Sequence, residues 1–195
     1  MTEAGLTLQE VERARAARGW FGLGFTAKLE TAYEAATAPQ RNIAITNTLI
    51  AAVIVYNLLI VGDILLVGDA LWLALFVHAT LVTPIMLAIA LYVRGNPSPG
   101  RREALLAGVP VIMAAGILAV FACSTAPEVA HYQYFVILVA MFCNAVLRIR
   151  FTQAAMASFL IAAAHALVML GSPTTPMSVA MHSIGLVVIT SLITL

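Results

Sequence analysis

Residues 104–123 read ALLAGVPVIMAAGILAVFAC, a stretch without a charged side chain. The hydrocarbon core of a bilayer is about 30 Å thick, and an α-helix that rises about 1.5 Å per residue crosses it in about 20 residues. A run of this length and composition predicts a transmembrane helix.

Five further apolar runs of similar length lie at residues 43–61, 70–93, 129–147, 152–170 and 177–195. The whole chain is 62% hydrophobic and 10% charged, with a mean hydropathy of +0.99, which is far from the composition of a soluble domain. We therefore predict an all-α integral membrane protein with six transmembrane helices. Residues 42–195 form its transmembrane domain, and residues 1–41 form a cytoplasmic segment.

The ten Lys and Arg residues predict the orientation of the chain, because basic residues are retained on the cytoplasmic side. They fall before helix one, between helices two and three, and between helices four and five, and the other three connections hold none. They are Arg13, Arg15, Arg18, Lys28, Arg41, Arg94, Arg101, Arg102, Arg148 and Arg150. Both termini are therefore predicted to be cytoplasmic.

The segment before the first span carries a helical pattern of apolar residues. Phe25, Leu29 and Tyr33 recur every four residues, which is typical of an amphipathic helix lying in the lipid headgroup region. Aromatic and basic neighbours at Trp20, Phe21 and Lys28 favour the same interpretation. The alternative is a cytosolic coupling helix packed on a partner.

Several function classes are excluded by what the sequence lacks. A net charge of +1 without a basic cluster excludes a nucleic-acid partner. Cys123 and Cys143 lie inside apolar runs and not in a metal-binding or redox pair. No catalytic motif is found, so we predict no catalytic residue, no metal and no cofactor. A haem would need two facing histidines, for which His78 and His165 are the only plausible pair.

Polar residues inside a membrane are costly and are therefore candidates for function. The predicted topology places all four histidines in the outer half of the membrane, close to a tyrosine and to acidic residues at the outer surface. These candidate ligand-binding residues are Tyr56, Asp63, His78, Glu128, His131, His165 and His182. They would line a cavity for a small ligand, a metal ion or protons. The alternative is that each histidine only holds helices together by hydrogen bonds.

A second polar group lies at the predicted inner ends of helices four and five. It comprises Asn144, Arg148 and Arg150, which would contact either lipid phosphates or a cytosolic element. Elsewhere, Asp69, Ser124 and Thr125 are expected to act as helix caps. Pro84 and Pro110 are expected to distort their helices. A stripe of small residues on helix five, at Ala154, Ser158, Ala162 and Ala166, predicts a packing face within the chain or between two copies.

A series of short motifs resembles the six-helix N-terminal membrane sensor modules of bacterial diguanylate cyclases, and related modules precede some class III adenylate cyclases. The resemblance runs from about Phe25 to Leu195. In chain order, the motifs are Phe25, Leu29-Glu30, Tyr33, Arg41, Tyr56-Asn57, Asp63, Thr83-Pro84, Arg94, Arg102-Glu103-Ala104, His131-Tyr132-Gln133-Tyr134, Asn144, Leu147-Arg148-Ile149-Arg150-Phe151 and Ala154.

This resemblance implies a module of the bacterial inner membrane that relays a periplasmic or intramembrane signal, through helix six, to a cytoplasmic GGDEF domain. Such a domain condenses two GTP molecules into cyclic di-GMP, and the cyclases work as homodimers. This sequence contains no GGDEF motif, so we expect the cyclase activity to belong to a segment absent from the chain. A small transporter or channel with a histidine-lined cavity is the alternative from another class, and a purely structural anchor is a third.

Overall fold

The computed structural model describes residues 12, 27–147, 149–173 and 175–195, and side chains between 27 and 30 are not described. The described residues are helical, with no strand among them. Six helices are long and apolar enough to cross a membrane, which confirms the predicted fold class. The spans, numbered in chain order, are Thr31–Leu66, Gly68–Arg94, Pro99–Cys123, Val129–Val146, Phe151–Gly171 and Met177–Thr194. We call the end that carries the connections between spans one and two, three and four, and five and six the outer end, after the predicted orientation.

Two compact units divide the chain, residues 1–44 and residues 45–195. From Ala27 onward, the described residues of the first unit belong to the α-helix Ala27–Leu58. Within this unit Arg41 donates to Glu34 over 2.9 Å. The predicted amphipathic helix remains a prediction, because Trp20, Phe21 and Phe25 and the side chains of Lys28 and Leu29 lie outside the described residues.

The first span is interrupted near its outer end. The helix Ala27–Leu58 ends at a turn at Leu59, and a second helix, Ile60–Leu66, follows. At this turn the Leu59 N–H donates to the Tyr56 carbonyl, three residues earlier, over 3.1 Å. The turn lies between Tyr56 and Asp63, two of the predicted site residues.

The second and fourth spans each contain a π-helix, in which a backbone N–H bonds to the carbonyl five residues earlier. In the second span it covers Val77–Val82 and directly precedes the α-helix Thr83–Arg94 with Pro84 in its first turn. In the fourth span it covers Phe142–Val146, after short helices Val129–Tyr132 and Phe135–Met141. Such π-helical insertions occur frequently at functional sites. By contrast, Pro110 lies within an unbroken α-helix.

The third span occupies the centre of the second unit. It is the most buried of the six spans, with 56% of the residues in its most apolar 18-residue stretch buried. It packs against the second, fourth and fifth spans. On the fifth span, Ala154 and Ser158 of the small-residue stripe are buried within the chain, whereas Ala162 and Ala166 are half-buried. The inner half of the stripe is therefore a packing face within one chain.

Side-chain hydrogen bonds join neighbouring spans at several depths. Asn57 donates to the Thr83 hydroxyl over 2.8 Å, between the first and second spans. At the outer end, Asp69 accepts from the Ser124 hydroxyl over 2.6 Å and from the Thr125 N–H over 2.6 Å. The residues expected to act as separate caps thus bind one another and tie the second span to the third.

Candidate functional site

A cluster of buried polar side chains lies in the outer half of the second unit. Asp63 of the first span is 0% exposed, and its Oδ2 lies 3.1 Å from Nε2 of His78 on the second span. The Tyr56 ring stacks on the His78 imidazole, with ring centroids 4.2 Å apart. Tyr132 of the fourth span is also buried and lies against Asp63. We call these four residues the Asp63–His78 cluster.

Several polar atoms of this cluster make no well-aligned hydrogen bond to the described residues. They are the Tyr56 hydroxyl, both Asp63 carboxylate oxygens and the His78 Nδ1. The contact between His78 and Asp63 is short enough for an ion pair, but its alignment is not that of a hydrogen bond. Unsatisfied buried polar atoms are costly and rare in proteins, so this cluster has free capacity to bind a proton or a polar ligand group.

The backbone of two other elements shapes the cluster. His78 belongs to the π-helix Val77–Val82, whose register places it against Asp63. On the third span, Gly116 lies beside the cluster, and a Cβ atom at this position would lie 2.6 Å from Val77 Cγ1 and 3.5 Å from the Tyr56 hydroxyl. The close approach of the second and third spans at this depth therefore requires glycine.

The other predicted ligand-binding residues lie apart from this cluster. His165 is buried, and its Nε2 lies 2.5 Å from the Ser183 hydroxyl, which links the fifth span to the sixth. His182, next to Ser183, is exposed on the sixth span. Glu128 and His131 lie 3.6 Å apart, and both are exposed at the outer end. Of the seven predicted residues, the structure brings together Tyr56, Asp63 and His78.

At the inner end, Asn144 joins three spans. It lies in the π-helix of the fourth span, and its Nδ2 is 3.0 Å from both the Ser158 hydroxyl of the fifth span and the Thr194 hydroxyl of the sixth. Ser158 also donates to Asn144 Oδ1 over 3.1 Å. Thr194 is the last residue of the sixth helix. Asn144 therefore fixes the last turn of the sixth span to its neighbours.

The third span contains a buried ion pair. Arg102 and Glu103 are both 0% exposed, and Arg102 Nη2 lies 3.2 Å from Glu103 Oε1. The second carboxylate oxygen of Glu103 accepts from the Arg150 N–H over 3.0 Å, at the start of the fifth helix. Of the predicted cytoplasmic-face residues, Asn144 and Arg150 thus make contacts within the chain, and Arg148 lies outside the described residues.

The sequence reasoning assigned no site role to several residues of these sites. Tyr132 belongs to the Asp63–His78 cluster and Gly116 lies beside it, whereas Ser183, Glu103 and Thr194 bind predicted residues. Tyr132 had a usable signal, because it lies in the quoted motif His131-Tyr132-Gln133-Tyr134, next to the predicted His131. Nothing in the sequence distinguished Gly116 from the chain's other glycines, because its role depends on the spacing between two spans.

Among the described residues, no group of three or more His, Cys, Asp and Glu side chains is arranged to hold a metal ion. His78 and His165 face different partners, Asp63 and Ser183. Comparison with known protein families, with curated proteins and with solved structures finds no match to this chain.

Proposed function

We propose that this chain is a sensory and anchoring module of a bacterial inner membrane, which relays a signal from the outer half of the membrane to a C-terminal cytoplasmic diguanylate cyclase domain. The observation that carries the proposal is the position of Asn144. Asn144 bonds to Ser158 of the fifth span and to Thr194 at the end of the sixth helix. The position of this helix end therefore depends on the packing of the fourth and fifth spans. An output domain would continue from this end.

The Asp63–His78 cluster is the proposed input of this module. A carboxylate and an imidazole with unsatisfied atoms, buried in the outer half of a membrane protein, change their interactions when a proton or a ligand group arrives. The motifs that resemble cyclase-linked sensor modules include Tyr56, Asp63 and Asn144, so they contribute to both the input and the inner-end contact.

The proposed mechanism is a shift between two packing arrangements of the helices. A ligand moves such an equilibrium only by its difference in affinity for the two arrangements. The π-helices of the second and fourth spans are suitable places for the change, because a π-helix differs from an α-helix by one residue of register. In this proposal the chain itself is not an enzyme, the full-length protein is a diguanylate cyclase, and two copies form the active dimer.

The proposal is tested by joining a diguanylate cyclase domain to the module after Leu195 and measuring cyclic di-GMP in cells. We expect Asn144→Ala to change the output, because it releases the last turn of the sixth helix. Asn47→Ala is the matched control, since Asn47 is exposed on the first span. We likewise expect Asp63→Asn to change the output and His182→Ala, at an exposed histidine, to leave it unchanged.

The proposal fails if Asn144→Ala and Asp63→Asn leave cyclic di-GMP at the level of the two controls, with equal amounts of each protein in the membrane. A transporter or channel would instead show flux across proteoliposomes that depends on Asp63 and His78.

A further inference from the structure

An apolar groove runs between the first, third and fourth spans. Its volume is about 350 Å³, and its walls include Thr48 and Tyr56 of the first span, Met113 of the third and Phe142 of the fourth. All of these residues belong to the second unit of the chain and to helices that cross the membrane. Ala51, Val55, Leu138 and Val146 of its lining are exposed, so the groove opens on the side of the bundle, where the hydrocarbon layer would lie.

The chemistry of the walls selects the occupant. Thr48 and Tyr56 are the only side chains with a polar atom among the lining residues, and the rest are Ala, Val, Leu, Met and Phe. A charged group would lose its hydration in such a groove without gaining partners. A hydrocarbon chain that enters the groove from the bilayer stays in apolar surroundings and gains close packing contacts. The fitting occupant is the uncharged chain of an amphiphile dissolved in the membrane.

The two ends of the groove meet the two polar sites of the molecule. At one end the groove is lined by Tyr56, whose ring stacks on His78 and whose hydroxyl has no partner among the described residues. At the other end it is lined by Phe142 and Val146, the first and last residues of the π-helix that contains Asn144. One occupant would thus press on both the Asp63–His78 cluster and the element that holds the sixth helix.

We infer that this groove binds the uncharged hydrocarbon chain of an amphiphile dissolved in the membrane, and that its occupancy is an input of the module. The inference of a binding site depends only on the shape and lining of the groove. Its role as an input rests on the proposed sensory function. Occupancy stabilises the rotamer of Tyr56 and the π-helix register that the bound chain contacts, and it thereby favours one packing arrangement over the other.

The site is tested with the purified chain in lipid nanodiscs and a straight-chain fatty alcohol that carries a photoreactive diazirine in mid-chain. We expect labelling to concentrate on peptides of the groove and to be displaced by unlabelled fatty alcohol or by an isoprenoid alcohol. The competitor that displaces better shows whether a straight or a branched chain fits.

The matched variants place one phenylalanine inside the groove and one outside it. Ala51 lines the groove and is exposed at its rim, so Ala51→Phe fills space without disturbing the core. The phenyl ring removes packing contacts that the bound chain would make, and it lowers the affinity, and hence the displaceable labelling, by at least about threefold. Ala88→Phe makes the same change at an exposed position of the second span away from the groove and leaves labelling unchanged.

Labelling that spreads evenly over the lipid-facing helices, that neither alcohol displaces, or that is equal in the two variants would overturn the inference. None of these outcomes depends on cyclase output, so they leave the relay from Asn144 untouched. Conversely, labelling confined to the groove would establish the binding site. If the Ala51→Phe variant, joined to the cyclase domain, then gave unaltered cyclic di-GMP, the role of the groove as an input would be overturned.

Discussion

At the scale of single residues, the Asp63–His78 pair places two ionisable side chains inside the helix bundle. The two side chains are 0% and 3% exposed, and they are held in helices that cross a membrane. A buried ion pair is rarely a net source of stability compared with apolar residues of the same size, but removal of one partner leaves the other uncompensated. Retention of such a pair is better explained by function than by folding.

The two residues of the pair should therefore be energetically coupled. We expect Asp63→Asn and His78→Gln each to lower the free energy of unfolding by about 1–3 kcal/mol, and the double variant to fall short of the sum by about 1 kcal/mol or more. Unfolding in detergent and lipid micelles measures all three. The matched control is Glu128→Gln with His131→Gln, an exposed pair that should show no measurable coupling. Additive losses at Asp63 and His78 would refute the pairing.

A second buried histidine links two spans. His165 Nε2 lies 2.5 Å from the Ser183 hydroxyl, between the fifth and sixth spans. Ser183→Ala should lower the free energy of unfolding by about 1–2 kcal/mol, because the buried imidazole nitrogen loses its bond. Ser178→Ala, at an exposed serine of the same helix, provides the reference. Equal stability of the two variants would show that the bond contributes nothing.

The sequence predicted part of the candidate site. Tyr56 and His78 were found because polar side chains in apolar runs stand out by their cost. Asp63 was expected at the outer surface, beyond the first span, and this placement is wrong, because Asp63 is buried inside a span that continues to Leu66. His165, His182, Glu128 and His131 were grouped with them because depth in the membrane can be estimated from the sequence. The direction in which each side chain leaves its helix depends on how the spans pack, and depth does not give it. His165 thus faces Ser183, and His182 is exposed.

At the scale of elements, irregular helix geometry is concentrated around the polar groups. The turn at Leu59 precedes Asp63, one π-helix contains His78 and the other contains Asn144. Pro84 explains part of this pattern, because it lacks the N–H that an α-helical register would use. The sequence predicted a distortion there but offered no proline for the π-helix of the fourth span. That element could not be foreseen from residue types alone.

The packing of the second span on the third should depend on Gly116. Gly116→Ala places a methyl group 2.6 Å from Val77 Cγ1, and we expect this overpacking to lower the free energy of unfolding by about 1–3 kcal/mol. Adding Val77→Ala, which removes the clashing carbon, should restore much of the loss. Gly108→Ala, on the same span with open space around it, should be neutral or stabilising because alanine favours helices. A similar effect of both glycine variants would argue against close packing at Gly116.

At the scale of the whole molecule, the fold was predictable because the bilayer imposes a simple rule. Each span must present about 20 apolar residues. The predicted runs agree with the observed helices except at two spans: the first begins earlier, at Ala27, and ends later, at Leu66, and the third begins earlier, at Pro99. These extra turns carry charges, such as the buried Arg102 and Glu103. A prediction from hydropathy alone ends a span at its first charged residue, whereas a charged side chain with a partner can lie inside a helix bundle.

The orientation of the molecule remains a prediction, and it decides which end of the groove faces the cytoplasm. After replacement of Cys123 and Cys143 by alanine, single cysteines at Ser98 and Glu128 provide two exposed probes at opposite ends of the spans. A membrane-impermeant maleimide should label Glu128→Cys in intact cells, and Ser98→Cys only after the membrane is opened, because Arg94, Arg101 and Arg102 hold that connection inside. The reverse pattern would place the Asp63–His78 cluster in the cytoplasmic half. Its role as a receiver of outside signals would then be lost, even though every contact within the bundle stayed the same.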